Sequence, residues 1–183
     1  MKRLSCALSL AFVLGGCSEP TLLERAELGD LQAQVKLGIA YTIGDGVTED
    51  DAEAVKWWRK AAEQGDAGAQ FMLGSAYENG RGVAKDEVEA FKWYAKSAEK
   101  GVPDAQYNLG DAYAYGEGVA EDRAEAVKWW RKAAEQGLEH AQYSLGLEYG
   151  GTGEYDEAYK WIRKAAEQGL AEAKEFLKEI PDE

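Results

Sequence analysis

The sequence predicts an all-α protein in which helix-turn-helix units stack into an α-solenoid. Three observations carry that expectation. First, Leu37-Gly38, Leu73-Gly74, Leu109-Gly110 and Leu145-Gly146 recur every 36 residues, with Tyr41, Tyr77, Tyr113 and Tyr149 in step; self-similarity at such a period marks a repeat architecture. Second, each unit follows helical spacing twice: Ala33, Leu37, Ala40, Tyr41 and Gly44, then Ala54, Trp57, Trp58, Ala61, Ala62 and Gly65. Third, start and stop signals agree with those two halves. Asp50, Asp86 and Asp122 precede the second helix, with Glu53, Glu89 and Glu125 three residues later, the spacing of a capping box. Gly65, Gly101, Gly137 and Gly169 fall just past its end, where a left-handed residue suits glycine.

Before the repeats, Met1, Lys2 and Arg3 form a positive start, and the apolar run from Leu4 to Leu14 is too short to span a bilayer. It reads as an export signal. The run closes on Leu14, Gly15, Gly16 and Cys17, which resembles the bacterial lipobox. That resemblance implies a signal peptide over residues 1–16 and a lipidated Cys17; an ordinary secretory signal beside a chance cysteine is the alternative. Residues 17–20 would be the lipidated tether. Ser18 stands where Asp would direct many Gram-negative lipoproteins to the inner membrane, so the outer membrane, with the domain facing the periplasm, is the expected location.

The repeat domain is expected over residues 21–180, with units at 30–65, 66–101, 102–137 and 138–169. In the last unit Trp161 follows Trp129 by only 32 residues, because the loop at Gly150 to Gly153 has lost four positions. Residues 21–29 read as the end of a preceding second helix and 170–180 as a lone closing first helix. Both would cover the terminal apolar faces of the stack. The combination of Ala, Leu-Gly, Tyr, Gly-x-Gly-Val, Asp, Ala, Trp, paired Ala and closing Gly resembles the Sel1-like repeat, a relative of the tetratricopeptide repeat. The resemblance implies a right-handed superhelix and a role in protein binding.

With 34 acidic and 21 basic residues the formal charge is −13, and removal of the leader with Lys2 and Arg3 takes it to −15. Nucleic acid is excluded as a partner, since its phosphates require clustered Lys and Arg. An anionic membrane is met through the lipid anchor only. Cys6 and Cys17 are the only cysteines, so the repeats carry no disulfide framework, unlike Sel1-like proteins with cysteine pairs in every repeat. No cofactor is expected. Gly44-Asp45-Gly46, Gly80-Arg81-Gly82 and Gly116-Glu117-Gly118 lack the strand and the Lys-Ser/Thr of a phosphate loop and read as turns. The acidic run Asp45, Glu49, Asp50 and Asp51 lacks calcium-loop spacing. His140 is the single histidine, which supports neither a metal site nor a nucleophilic triad, and no catalytic constellation is found. The aromatic pairs Trp57-Trp58, Trp93-Tyr94 and Trp129-Trp130 read as core, with at least one member of each buried; a sugar-stacking platform is the alternative.

Positions that repeat are explained by packing, so positions that vary between units are candidates for recognition. By analogy with tetratricopeptide grooves, the first helices line the concave face with Val35, Ile39, Thr42 and Ile43, then Phe71, Ser75, Glu78 and Asn79. The third unit adds Tyr107, Asp111, Ala114 and Tyr115, and the fourth Tyr143 and Leu147, with Asp104 and His140 nearby. Val35, Phe71, Tyr107 and Tyr143 would form one ladder, aromatic from Phe71 on, and the acids beside it suit a basic protein partner. A merely solvated face is the bland alternative. The expected function is a monomeric, non-catalytic lipoprotein that binds a protein partner. Family resemblance suggests an immunity protein neutralising a secreted antibacterial effector. The alternatives are a scaffold for envelope or exopolysaccharide machinery, an enzyme acting on cell-wall polymers, and a carbohydrate-binding module.

Overall fold

The computed structural model describes residues 19–179, and every regular element among them is an α-helix. Helix α1 (Leu22–Glu27) precedes four pairs: α2 (Leu31–Ile43) with α3 (Asp51–Glu63), α4 (Ala67–Asn79) with α5 (Glu87–Glu99), α6 (Pro103–Tyr115) with α7 (Arg123–Glu135), and α8 (Glu139–Thr152) with α9 (Tyr155–Gln168). Helix α10 (Ala171–Glu179) closes the stack. Each helix packs on its neighbours in the chain, so the core is continuous although its contacts are local. The leader, Cys17 and Ile180 lie outside the described residues.

The helix starts depart from expectation in an instructive way. Asp50, Asp86 and Asp122 do cap α3, α5 and α7, accepting from the backbone N–H of Glu53, Glu89 and Glu125 at 3.0 Å each. The reciprocal half of the box is missing at these three helices. The N–H groups of Asp50, Asp86 and Asp122 donate instead to the carbonyls of Tyr41, Tyr77 and Tyr113 on the preceding helix, and Glu53, Glu89 and Glu125 bond to Lys56, Lys92 and Lys128 one turn further on. A complete box forms where none was expected, between Thr21 and Glu24 on α1. Asp30 and Asp66 likewise cap the first helices α2 and α4.

The invariant Leu-Gly pair has a steric reason. A Cβ added to Gly38, Gly74, Gly110 or Gly146 would stand 2.4, 2.7, 2.4 and 2.5 Å from the side chains of Trp58, Tyr94, Trp130 and Ile162. The first helix thus gives up a side chain to let the second helix lay a large one flat against its backbone. Leu73, Leu109 and Leu145, the partners of those glycines, are fully buried. At least one aromatic of each pair is in the core as expected, both in the first two units and Trp130 in the third, while Trp129 is half-buried. Lys60, Lys96, Lys132 and Lys164 cover the rings of Trp57, Trp93, Trp129 and Trp161 with Nζ 3.6 to 4.1 Å from the ring centres.

Units are fastened to each other by a repeated glutamine. Gln34, Gln70, Gln106 and Gln142 are buried, and each Nε2 donates to the carbonyl of Ala26, Ala62, Ala98 or Ala134 on the preceding second helix at 3.0 to 3.1 Å. Their Oε1 atoms accept at 2.7 Å from Gln64, Gln136 and Gln168 in three of the four units. The Gly-x-Gly loops make a second fastening. Gly82 and Gly118 lie on the N-terminal backbone of α3 and α5, where an added Cβ would fall 2.1 Å from the carbonyl oxygens of Asp51 and Glu87. In the last unit α8 runs on to Thr152 and turns through Gly153 into α9. No loop then reaches back to α7, and the ion pair of Arg123 with Glu148 at 3.3 Å spans that gap.

Candidate partner-binding face

The four first helices α2, α4, α6 and α8 present one continuous layer, and the structure divides the expected recognition residues into two groups. The ladder residues are wedges. Val35 packs on the cluster that includes Ala69 and Leu73 of the next unit. Phe71 contacts that cluster and the one around Leu109, its ring 5.8 Å from that of Tyr94. Tyr107 packs on the cluster around Leu145 and lies 6.2 Å from the His140 ring. Tyr143 meets Phe176 of the closing helix in an edge-to-face contact at 6.3 Å. All four are half-buried. A wedge that fills the seam between units has little surface left for a partner, and Ala114 is fully buried and offers none.

The second group is available. Ile39 is 42% exposed, Ile43 66%, Tyr115 67% and Leu147 41%, and Asp104 and His140 are exposed at the starts of α6 and α8. Met72 joins them from outside the expected set, at the register position just before the repeated Leu. Thr42 turns inward, its hydroxyl donating to the Gly38 carbonyl at 3.1 Å.

Ser75, Glu78 and Asp111 are half-buried, and Glu78 and Asp111 are tied to the second helices. The Tyr94 hydroxyl donates to Glu78 Oε2 at 2.9 Å, and the Trp130 indole donates to Asp111 Oδ1 at 2.9 Å. Tyr94 and Trp130 thus help to shape this face although they belong to the other helix layer. The signal in the sequence was the side chain after the Leu-Gly pair, polar only in the units where Ser75 and Asp111 stand. Burial pushes the Asp111 carboxyl above the usual carboxylate range. The Trp130 and Tyr107 donors oppose that shift, and the nearby charges of Glu117 and Glu78 add to it. The Tyr107 hydroxyl is itself pushed up to about 12, by burial first and the Asp111 charge second.

Charge is sorted between the two helix layers. On α2, α4, α6 and α8 the acids Glu78, Asp104, Asp111, Glu139 and Glu148 face a single base, Lys36. On α3, α5, α7 and α9 the bases Lys56, Lys92, Lys128 and Lys160 pair with acids of their own helix. Among the described residues Glu78, Asp104, Asp111 and Glu139 form no ion pair, and no group of three or more His, Cys, Asp or Glu side chains could hold a metal ion. Among the same residues, no helix is long and apolar enough to cross a membrane.

Paired helices stacked in one direction, with an acidic and partly apolar layer on one side, define an α-solenoid repeat protein suited to protein–protein interaction. The Sel1 repeat model matches residues 31–66, 67–102, 103–138 and 139–170, and the chain belongs to that family. Among solved structures it is similar to c5321, a protective antigen of uropathogenic Escherichia coli with this repeat fold. The identity is 46% and the TM-score 0.80, covering 83% of this chain but 33% of that one. A Sel1 repeat protein from Oxalobacter formigenes is 37% identical with a TM-score of 0.75, over 82% of this chain and 63% of that one. The cysteine rich protein B of Helicobacter pylori is 27% identical with a TM-score of 0.52, over 66% and 86%. The chain therefore spans a third of the first relative's length and under two thirds of the second's. No curated protein sequence matches it. The right-handed solenoid expected from the repeat is the fold observed, and Sel1 repeats are in general non-catalytic interaction scaffolds.

Proposed function

We propose that the protein is a non-catalytic binding module, held at the outer membrane by a lipid on Cys17, that presents its first-helix face to a basic segment of a protein partner. One observation carries the reading: the layer that holds exposed Ile39, Ile43, Met72, Tyr115 and Leu147 also holds the acids Glu78, Asp104, Asp111, Glu139 and Glu148 against the single base Lys36. Apolar anchors on a layer with an excess of acids favour a complementary protein surface, with charge acting on encounter and the anchors on residence. In its most specific form the partner is a secreted antibacterial effector and the module is its immunity protein.

A photo-crosslinking residue at Tyr115, and another at Val88 on the opposite helix layer, tests the face in envelope extracts. Crosslinking at position 115 that weakens with salt and is absent at 88 is the expected result. Equal products at both positions, or products only at 88, would refute the reading. Anchoring is tested separately: Cys17→Ser should move the protein out of the outer-membrane fraction, and unchanged fractionation would remove the lipid from this account.

A further inference from the structure

We infer that the middle of the first-helix face is a subsite for one Lys or Arg side chain of an extended partner segment, built from Glu78 on α4 and Asp111 on α6 between apolar seats at Ile39 and Leu147. It rests on the binding-module reading and adds the side-chain class that the face selects. The register position after each Leu-Gly pair reads Ile39, Ser75, Asp111 and Leu147 along the stack. The face is therefore apolar at both ends and polar in the middle, where Glu78 adds its charge.

The two carboxylates are held in place before anything binds. Glu78 Oε2 accepts from the Tyr94 hydroxyl and Asp111 Oδ1 from the Trp130 indole, both at 2.9 Å, and Tyr94 and Trp130 are core residues. Among the described residues nothing donates to Glu78 Oε1. Glu117 lies close enough to act on Asp111 together with Glu78. Lys85 feels both glutamates but is paired with Glu87 at 2.9 Å. Like charges fixed near one another in a half-buried setting, with Glu78 and Asp111 in no ion pair among the described residues, favour an incoming cation. Because the carboxylates are already oriented, a bound guanidinium or ammonium would cost little further ordering.

A second observation favours a peptide over a bare ion. Trp58 is more than nine-tenths buried and its Nε1 has no acceptor. It lies against Gly38 just as the Trp130 indole lies against Gly110, so it is directed at the Ile39 position as Trp130 is directed at Asp111. Ile39 offers no acceptor. A peptide backbone brings carbonyl acceptors to such a donor, whereas a metal ion brings none.

The test uses blocked peptides about 15 residues long, roughly 50 Å when extended, with leucines toward both ends. The central residue is Arg in one and citrulline, its uncharged isostere, in the other. Binding to the mature protein is measured by calorimetry at low salt. The Arg peptide should bind about tenfold or more tightly than the citrulline peptide, the scale of a charge-assisted pair. Glu78→Gln and Asp111→Asn should each cut that ratio to about twofold. Both amides keep an acceptor for Tyr94 or Trp130, so unchanged near-UV circular dichroism certifies the fold. Ile39→Ser should weaken both peptides alike. Equal binding of the two peptides, weakened by Ile39→Ser, overturns the subsite and leaves the binding face intact. Binding that neither Ile39→Ser nor Tyr115→Ser alters overturns the face itself. Absence of binding at millimolar Arg peptide overturns the subsite, since the chain alone supplies it. Saturable calcium binding lost in Asp111→Asn would replace the peptide side chain with a metal ion.

Discussion

Lys100 occupies the place held by Gln64, Gln136 and Gln168 in the other units, and the buried Oε1 of Gln70 is left without a donor. The Lys100 ammonium reaches past it to the Gly65 carbonyl. A buried acceptor without a partner carries its full desolvation cost. Lys100→Gln should therefore complete the pair and stabilise the fold by about 0.5–1.5 kcal/mol, seen as a higher urea midpoint at unchanged slope. A lower midpoint would mean that the contact with Gly65 matters more than the missing bond.

The Gly-x-Gly loops can be tested as fasteners because the first of them has nothing to fasten. Gly46 has φ +72 and open space around it, whereas Gly82 at φ +67 lies on the Asp51 carbonyl. Gly46→Ala should cost only the left-handed backbone strain, about 1–2 kcal/mol. Gly82→Ala adds a clash with backbone that cannot move aside and should cost about 1–3 kcal/mol more. Equal losses in thermal unfolding would show that the close approach of Gly82 is not maintained in solution.

The four ladder wedges and the exposed aromatic make opposite predictions. Tyr107→Ala removes a half-buried ring from the seam between two units and should destabilise by about 2–4 kcal/mol, in the range of large core truncations. Tyr115→Ala should stay within about 0.5 kcal/mol of wild type, as surface changes do, and weaken partner binding instead. Calorimetric melting of the two variants beside a binding assay separates the roles; a stable Tyr107→Ala protein that fails to bind would return the ladder to the recognition surface.

Asp111 predicts a pH effect with a definite sign. Its folded carboxyl titrates above the ordinary carboxylate value through burial and through Glu117 and Glu78, against the donors Trp130 and Tyr107. A raised acid contributes stability below its unfolded pKa and loses it as pH rises through the folded value. At neutral pH the ionised Asp111 therefore works against folding. Asp111→Asn, which keeps an acceptor for Trp130, should raise the melting temperature at pH 7, with the gain vanishing below pH 3.8, the carboxylate's ordinary value. A gain that persists undiminished at low pH would trace to something other than the charge.

The repeat period, both helices of every unit and the glycine stops were legible in the sequence, because each rests on interactions within about one turn or one unit of the chain. Periodicity exposes such rules directly: Leu73, Leu109 and Leu145 are buried as their recurrence required. Periodicity does not see the packing of the ladder. Phe71, Tyr107 and Tyr143 differ between units, which marks them as free positions by recurrence alone, yet they pack into seams formed with the neighbouring unit. The reach of Tyr94 to Glu78 and of Trp130 to Asp111 was likewise invisible. It depends on a second-helix ring crossing the bare backbone at Gly74 and Gly110, a distance of a few ångströms in space but 16 and 19 residues along the chain. Sequence alone determined which helices form and in what order they stack, since those choices are local. Only the tertiary structure decided which side chains of each first helix remain for a partner, because exposure depends on what the adjacent helices have already covered.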